Sequence, residues 1–98
     1  MYRILPEVYD ELTEALLVRI GDGSYYSGTV ECLSGDVRIG LRTTLILYRG
    51  RDERPDGCRL TITSAVPVWW ECHTVYGSEE LLNDFDFSEI TARLTDQG

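Results

Sequence analysis

Two long runs of alternating side chains occupy the middle of the chain, and they constrain the fold more than any other feature of the sequence. In the first run, the odd positions from Val37 to Leu47 are apolar with one exception. In the second run, the even positions from Leu60 to Cys72 are apolar with one exception. Successive side chains of a β-strand point to opposite faces, so a period of two predicts two strands that each bury one face.

The two runs match each other as the arms of a hairpin. The charged segment 50–57 between them contains Gly, Pro and Asp, which favour turns. If Leu47 faces Leu60 across this loop, the remaining apolar pairs are Leu45 with Ile62, Leu41 with Val66, Ile39 with Val68 and Val37 with Trp70. A one-residue slip would put every apolar side chain on the wrong face. A two-residue slip would keep the faces and lose only the match of Thr43 with Ser64.

A third strand precedes the hairpin over residues 25–33, and Ser34-Gly35 is a short turn signal after it. With that turn at the tip, the buried face pairs Cys32 with Val37, Val30 with Ile39 and Gly28 with Leu41. On the opposite face Arg38 lies between Glu31 and Trp69. This placement predicts a cross-strand charge pair on one side of Arg38 and a cation–π contact on the other.

The two ends of the chain carry helical patterns. Apolar residues recur at helical spacing from Leu5 to Ile20, and Pro6 suits the first helical position. Near the other end, residues 86–89 resemble a capping box, and an apolar helical face continues to Leu94. Residues 78–85 fit either a short helix or, after a turn at 77–78, a short fourth strand. Both alternatives stay open.

These elements predict an α+β fold in the order α-β-β-β-α. A three-stranded antiparallel meander, with a possible short fourth strand, exposes one apolar face that needs a cover. The N- and C-terminal helices supply that cover by packing on one face of the sheet. A chain of 98 residues without a linker or repeat is expected to form a single small domain over residues 1–98.

Charge and hydropathy bound the function. The net charge is −8, with nine arginines and no lysine. A net negative charge repels phosphates, so direct binding of nucleic acid is not expected. No run of 18 or more apolar residues and no secretory signal pattern occurs, so we expect a cytoplasmic protein that does not span a membrane.

The predicted strand positions separate the residues that a catalytic or metal site would need to bring together. Cys32 and Cys72 point inward on strands that flank the middle one, roughly 9–10 Å apart by strand spacing, which exceeds disulfide reach. Cys58 lies at the other end of the sheet. His73 follows Cys72 and points outward, so neither a zinc site nor a Cys–His nucleophile is expected. The sequence therefore predicts no metal, no cofactor and no catalytic residue. The alternative is an enzyme that uses Cys72 or the acidic cluster between Glu79 and Glu89.

The outer face of the sheet is the predicted functional surface, because both helices are expected on the other side. Arginine and aromatic residues, which are enriched in protein contacts, alternate there. The candidate contact residues are Tyr25, Arg38, Arg42, Tyr48, Trp69 and His73. They predict a protein-binding module that forms a homodimer through this face or through an edge strand. An ordinary exposed face, or a face covered by one of the helices, are the structural alternatives.

A second functional hypothesis comes from the carboxylates. Four of them, Glu7, Asp10, Glu11 and Glu14, lie on the predicted first helix, and a second cluster runs from Glu79 to Glu89. If both sets merged into one stripe with the spacing of phosphates, the protein would imitate nucleic acid and inhibit a DNA-binding protein.

Overall fold

The computed structural model describes the backbone of residues 1–54 and 57–96, and their side chains outside 52–54 and 58–60. In chain order the elements are α1 (Pro6–Ile20), β1 (Tyr25–Ser34), β2 (Val37–Arg54), β3 (Gly57–Tyr76), β4 (Glu79–Leu81) and α2 (Phe87–Thr95). The strands form one antiparallel sheet in the order β1-β2-β3-β4. The predicted α+β meander is confirmed, and the segment after Gly77 forms the short fourth strand rather than a helix.

Local chemistry defines both helices where the sequence predicts them. Pro6 occupies the first turn of α1, where its missing N–H costs no hydrogen bond. The helix ends at Gly21, whose φ of 55° suits a residue without a side chain and whose N–H donates to the Leu17 carbonyl. At the start of α2, the Asp86 carboxylate accepts from the Ser88 N–H at 3.0 Å. This N-cap satisfies a donor that would otherwise lack a partner.

Both helices lie on the same face of the sheet, α1 over β1 and α2 over β3, and they contact each other. The side chains with no exposed surface are Leu12, Leu16, Ile39, Leu41, Leu45, Ile90 and Leu94, together with Thr43 and Thr74. Ile62 is also buried, whereas Trp69 is 41% exposed on the other side. The predicted sidedness of the sheet is therefore confirmed, and neither helix covers the outer face.

The register of β1 on β2 differs from the prediction by two residues. The turn consists of Gly35 and Asp36, and Gly35 has a φ of 60° that suits the first position of a tight hairpin turn. Cys32 consequently lies opposite Ile39 rather than Val37. A slip of two keeps every side chain on its predicted face, so the buried set is unchanged. The predicted pairing of Glu31 with Arg38 was wrong, because Leu33 lies opposite Arg38.

The β2–β3 hairpin is longer than predicted. Leu47 lies opposite Ala65 instead of Leu60, and the strands continue to Arg54 and Gly57. The segment expected to be an eight-residue loop is therefore mostly strand, since 50–54 belong to β2 and Gly57 begins β3. The ribbon extends past the start of β1, and the molecule is 51 Å long but only 23 Å and 18 Å across. The side chain of Leu60, predicted to be buried, lies outside the described residues.

Two β-bulges in β3 change which of its side chains face the core. Thr63 and Val68 are extra residues at the register shifts that follow Tyr48 and Thr44 of β2. Each bulge reverses the phase of alternation. Between them the odd-numbered Ala65 is buried, while Val66 and Val68 are 44% and 58% exposed. The prediction that these two valines point into the core was wrong.

Short polar contacts fasten the ends of the chain to the sheet. Tyr2 forms a parallel bridge with Asn83, and its N–H donates to the Leu82 carbonyl at 2.6 Å. The Asn83 side chain donates to the Cys72 carbonyl at 3.1 Å and accepts from the Phe85 N–H at 3.0 Å. The bond to Cys72 joins the segment after β4 to β3, and the bond from Tyr2 joins the N-terminal segment to it. In the described part of the chain, no helix has the length and apolar character needed to cross a membrane.

Candidate functional site

The strand register orders the outer face into rows that cross the sheet. The rows read Tyr25–Ile46–Val66, Ser27–Thr44–Trp69, Thr29–Arg42–Glu71, Glu31–Gly40–His73 and Leu33–Arg38–Val75, with Glu80 of β4 beside the last. The first row is apolar, the second holds Trp69 beside two hydroxyl side chains, and the charged side chains lie in the third to fifth rows. We define the apolar half as Tyr25, Ile46, Tyr48, Val66, Val68 and Trp69. We define the charged half as Glu31, Arg38, Arg42, Glu71, His73 and Glu80.

All six side chains of the apolar half are exposed, between 38% and 63% of their surface. Tyr25, Ile46 and Val66 are neighbours in one row, so their exposed surfaces adjoin. Scattered apolar residues on a protein surface need no explanation, but a contiguous apolar patch marks a site of interaction. The β3 bulges contribute to this patch, since Val66 lies between them in the outward phase and the bulged Val68 is exposed beside Trp69.

Arg42 connects the two halves. Its guanidinium lies 5.5 Å from the centre of the Trp69 ring, a cation–π arrangement, and 3.7 Å from the Glu71 carboxylate. The predicted partner of Trp69 was Arg38, and that was wrong because Arg38 lies opposite Val75. The two contacts of Arg42 limit its rotation. A side chain with fewer orientations loses less entropy when a partner binds over it.

His73 lies between two carboxylates. Its Nδ1 is 2.5 Å from the Glu80 carboxylate, and its Nε2 is 3.4 Å from the Glu71 carboxylate. The hydrogen bond to Glu80 is the main cause that raises the pKa of His73 above its ordinary value, and Glu71 adds to the effect. Glu71 therefore lies between an arginine and a histidine, and the charged half is an array in which acids and bases alternate.

Gly40 lies in the middle of this array and has no side chain. The surrounding residues form a depression of about 370 Å³, lined by Thr29, Glu31, Arg38, Gly40, Arg42, Glu71, His73 and Val75. A side chain that enters it from a partner meets donors from arginine and acceptors from glutamate within a few ångströms. The depression therefore suits a polar or charged side chain of either sign.

The pKa of His73 gives a direct test of the charged half. His73 is the single histidine of the chain, so its ring protons give one resolved NMR titration. We expect a pKa above 6.5, and Glu80→Gln should lower it toward that value because the main hydrogen-bond acceptor loses its charge. Glu79→Gln, a neighbour on β4, is the matched control and should leave the titration unchanged.

The same shift predicts the sign of the pH dependence of stability. Protonated His73 is favoured in the folded state, so its contribution is fully present below the unfolded pKa of about 6.5 and is lost as the pH rises through the folded pKa. The ring is about half exposed, so the stabilisation is small. A pKa of His73 at or below 6.5 in the folded protein, or a pKa that does not change in Glu80→Gln, would contradict this geometry.

The structure places all six predicted contact residues on the outer face. Tyr25, Tyr48 and Trp69 are in the apolar half, and Arg38, Arg42 and His73 are in the charged half. The residues that the sequence reasoning did not select are Ile46, Val66, Val68, Glu71 and Glu80. Pro67 was the available signal for the valines, because proline inside a strand often marks a bulge. No sequence signal distinguished the strand that carries Glu80 from a helix.

The thiols of Cys32 and Cys72 differ from catalytic thiols in their protonation. Burial raises the pKa of Cys32 to about 11 and that of Cys72 to about 12. Both thiols are therefore protonated at neutral pH, and a nucleophilic cysteine needs the thiolate. His73 lies on the opposite face and forms its contacts with glutamates. The one histidine of the chain is therefore not placed to act as a base for Cys72, and the Cys58 side chain is outside the described residues.

Comparisons with known proteins add no relationship to this geometry. No protein-family model, no curated protein and no solved structure matches the chain.

Proposed function

We propose that the protein is a non-enzymatic interaction module of the cytoplasm that forms a homodimer through the outer face of its sheet. The observation that carries the proposal is the apolar half, where six large side chains are exposed on a sheet face that no helix covers. Aromatic and arginine side chains of this kind dominate the energy of protein contacts. Packing two such faces would remove them from water.

The balance of charge favours a second copy of the chain as the partner. The chain as a whole carries −8, yet the charged half contains three carboxylates against two guanidiniums and the imidazole of His73. A strongly basic partner is complementary to a purely acidic surface, and a strongly acidic partner is complementary to a purely basic one. A nearly neutral face with both signs complements itself, as an isologous dimer requires.

The acidic clusters give less support to imitation of nucleic acid. The second cluster has local structural contacts: Glu80 with His73, Asp84 with the Ile4 N–H, Asp86 with the Ser88 N–H and Glu89 with Arg93. Carboxylates engaged in this way do not present a row of free charges. The sheet face is therefore the better supported surface.

The oligomeric state of matched variants tests the proposal. We expect light scattering to give twice the chain mass of 11.2 kDa for the wild-type protein, and the mass of one chain for Val66→Glu. The glutamate would place an uncompensated charge in the centre of the buried contact. Trp69→Ala and Arg42→Glu should weaken the dimer as well, and added salt should strengthen it because two copies of charge −8 repel.

Val18→Glu is the matched control. Val18 lies on the outside of α1 with 82% of its surface exposed, so the same substitution adds the same charge away from the sheet face. This variant should remain a dimer. A wild-type monomer, or a dimer that dissociates equally in Val18→Glu and Val66→Glu, would overturn the proposal.

A further inference from the structure

The outer edge of β1 presents regularly spaced backbone groups. The Leu47 N–H donates to the Ser24 carbonyl at 2.8 Å, which fixes the phase of the ladder between β1 and β2. Alternate residues of an antiparallel strand bond to the same neighbour, so the even-numbered residues of β1 bond to β2. The residues whose N–H and C=O point away from the sheet are Tyr25, Ser27, Thr29, Glu31 and Leu33.

β1 lacks the features that usually protect an edge strand. It contains no proline and no lysine, and its register on β2 runs without interruption from Tyr25 to Ser34. The opposite side of the sheet is different, because β3 carries Pro67 and the bulged Val68, and β4 covers its end. Bulges, prolines and covering strands prevent pairing with another chain. Among the described strands, β1 is therefore the edge best suited to receive one.

The position of α1 decides what kind of chain fits this edge. α1 lies directly over β1, the edge strand. Paired strands are about 4.8 Å apart, whereas helices need about 10 Å. A second copy that paired through its own β1 would bring its α1 into the volume of the first α1. A single extended segment without a helix above it avoids that collision.

The surroundings of the edge define the chemistry of the segment. A groove of about 580 Å³ runs beside β1, lined by Glu11, Glu31, Cys32, Leu33 and Arg38. Glu11 of α1 is close enough to Cys32 to contribute to the raised pKa of that thiol. Glu11 lines the groove from α1 and Cys32 lines it from β1, so a side chain that an added strand directs toward α1 would lie near this carboxylate. The groove has two carboxylates, Glu11 and Glu31, against the single guanidinium of Arg38, so its local charge favours a basic side chain, and the net charge of −8 attracts a basic segment over a longer range.

We propose that the edge of β1 binds an extended basic peptide segment by strand addition, with a lysine or arginine side chain in the groove beside Glu11. The added strand would receive and donate backbone hydrogen bonds at the five odd-numbered residues of β1. The added strand would bond to the backbone edge of β1 and not to the side chains of the outer face, so the inference does not depend on self-association, although Tyr25 belongs to both surfaces.

The test uses a capped decapeptide that alternates lysine and valine, and one that alternates glutamate and valine as its control. Amide hydrogen exchange measured by NMR is the readout. In the free protein the amides of Ser27, Thr29 and Glu31 should exchange quickly and those of Gly28 and Val30 slowly. The lysine peptide should protect the odd-numbered amides and leave the even-numbered ones unchanged, and the glutamate peptide should not bind.

Variants separate strand addition from general attraction of charge. Thr29→Pro removes an edge N–H without removing a bond to β2, and it should weaken peptide binding about tenfold or more. Glu11→Gln should weaken it about two- to fivefold, and Glu7→Gln, on the same helix but outside the groove, should change it little. Val66→Glu should leave peptide binding intact whether or not the face dimer exists.

Three results would overturn the inference. One is slow exchange of the odd-numbered amides in the free protein, which would mean that the edge is already occupied. Another is binding of the lysine peptide without protection of these amides. The third is an equal loss of binding in Glu7→Gln and Glu11→Gln, since that result would show that the net charge of the protein, and not the groove, attracts the peptide.

Discussion

Leu41→Ala is expected to lower the free energy of unfolding by about 2–5 kcal/mol. Leu41 has no exposed surface and lies in the central strand between Val30 and Cys72, beneath the helices. Truncation removes buried methyl groups and leaves a cavity that three neighbouring elements surround, so the site collapses poorly. Small domains have a total stability of about 5–15 kcal/mol, so this change takes a large part of it.

Thermal and urea unfolding measure this effect. The midpoint of thermal unfolding should fall by about 8–40 °C in Leu41→Ala, given about 4–8 °C per kcal/mol in a domain of this size. Leu82→Ala is the matched control, because Leu82 is 80% exposed and loses the same atoms from the surface. Its effect should stay within about 0.5 kcal/mol. Equal losses in the two variants would show that the assignment of the buried face is wrong.

Gly28→Ala is expected to lower the free energy of unfolding by about 1–3 kcal/mol, the second largest effect after that of Leu41→Ala. A Cβ at Gly28 would lie 2.7 Å from the Tyr26 hydroxyl and 3.1 Å from its Cζ. The ring is 9% exposed and cannot move aside without disturbing the core. Gly40→Ala is the control on the next strand, where the nearest atom would be an ordinary 3.8 Å away. That substitution should be neutral or slightly stabilising, because alanine loses less backbone entropy than glycine.

A double-mutant cycle with Tyr26→Phe identifies the atom responsible. The Tyr26 hydroxyl is buried and has no hydrogen-bond partner among the described residues, so removing it should cost little or stabilise the protein. In the Tyr26→Phe background, Gly28→Ala should lose part of its penalty, with a coupling of about 0.5–2 kcal/mol. Additive effects, or strong destabilisation by Tyr26→Phe alone, would show that the hydroxyl is not the obstacle.

The sequence predicts which face of the sheet is buried because the alternation of Val37 to Leu47 keeps one phase, with Thr43 as its one polar residue. Every inward side chain of β2 in that span is where the period of two places it. The exact pairing is a different matter, since a slip of two residues leaves the same side chains buried. Only the geometry of the turns selects among such registers, and the turn at Gly35-Asp36 lies one residue beyond the predicted one.

The errors in β3 have a physical cause that also affected the candidate site. Val66 and Val68 are apolar at even positions, as the alternation requires, yet both are exposed. The bulges shift the strand by one residue on its partner, and the alternation of apolar residues in the sequence gives no sign of that shift. Alternation records hydrophobicity and cannot distinguish a core from a contact surface. The apolar half was therefore only partly recognised, whereas Trp69, which follows the second bulge, was assigned to the correct face.

Arg49 joins the base of the β2–β3 ribbon to the end of α1. Its guanidinium donates to the Gly21 and Gly23 carbonyls, both at 2.9 Å, where α1 ends and the negative end of the helix dipole lies. A displacement of the C-terminal end of α1 would therefore be felt at the point where β2 leaves the four-stranded part of the sheet, so a ligand bound at the helix end and one bound to the ribbon would be coupled through this side chain.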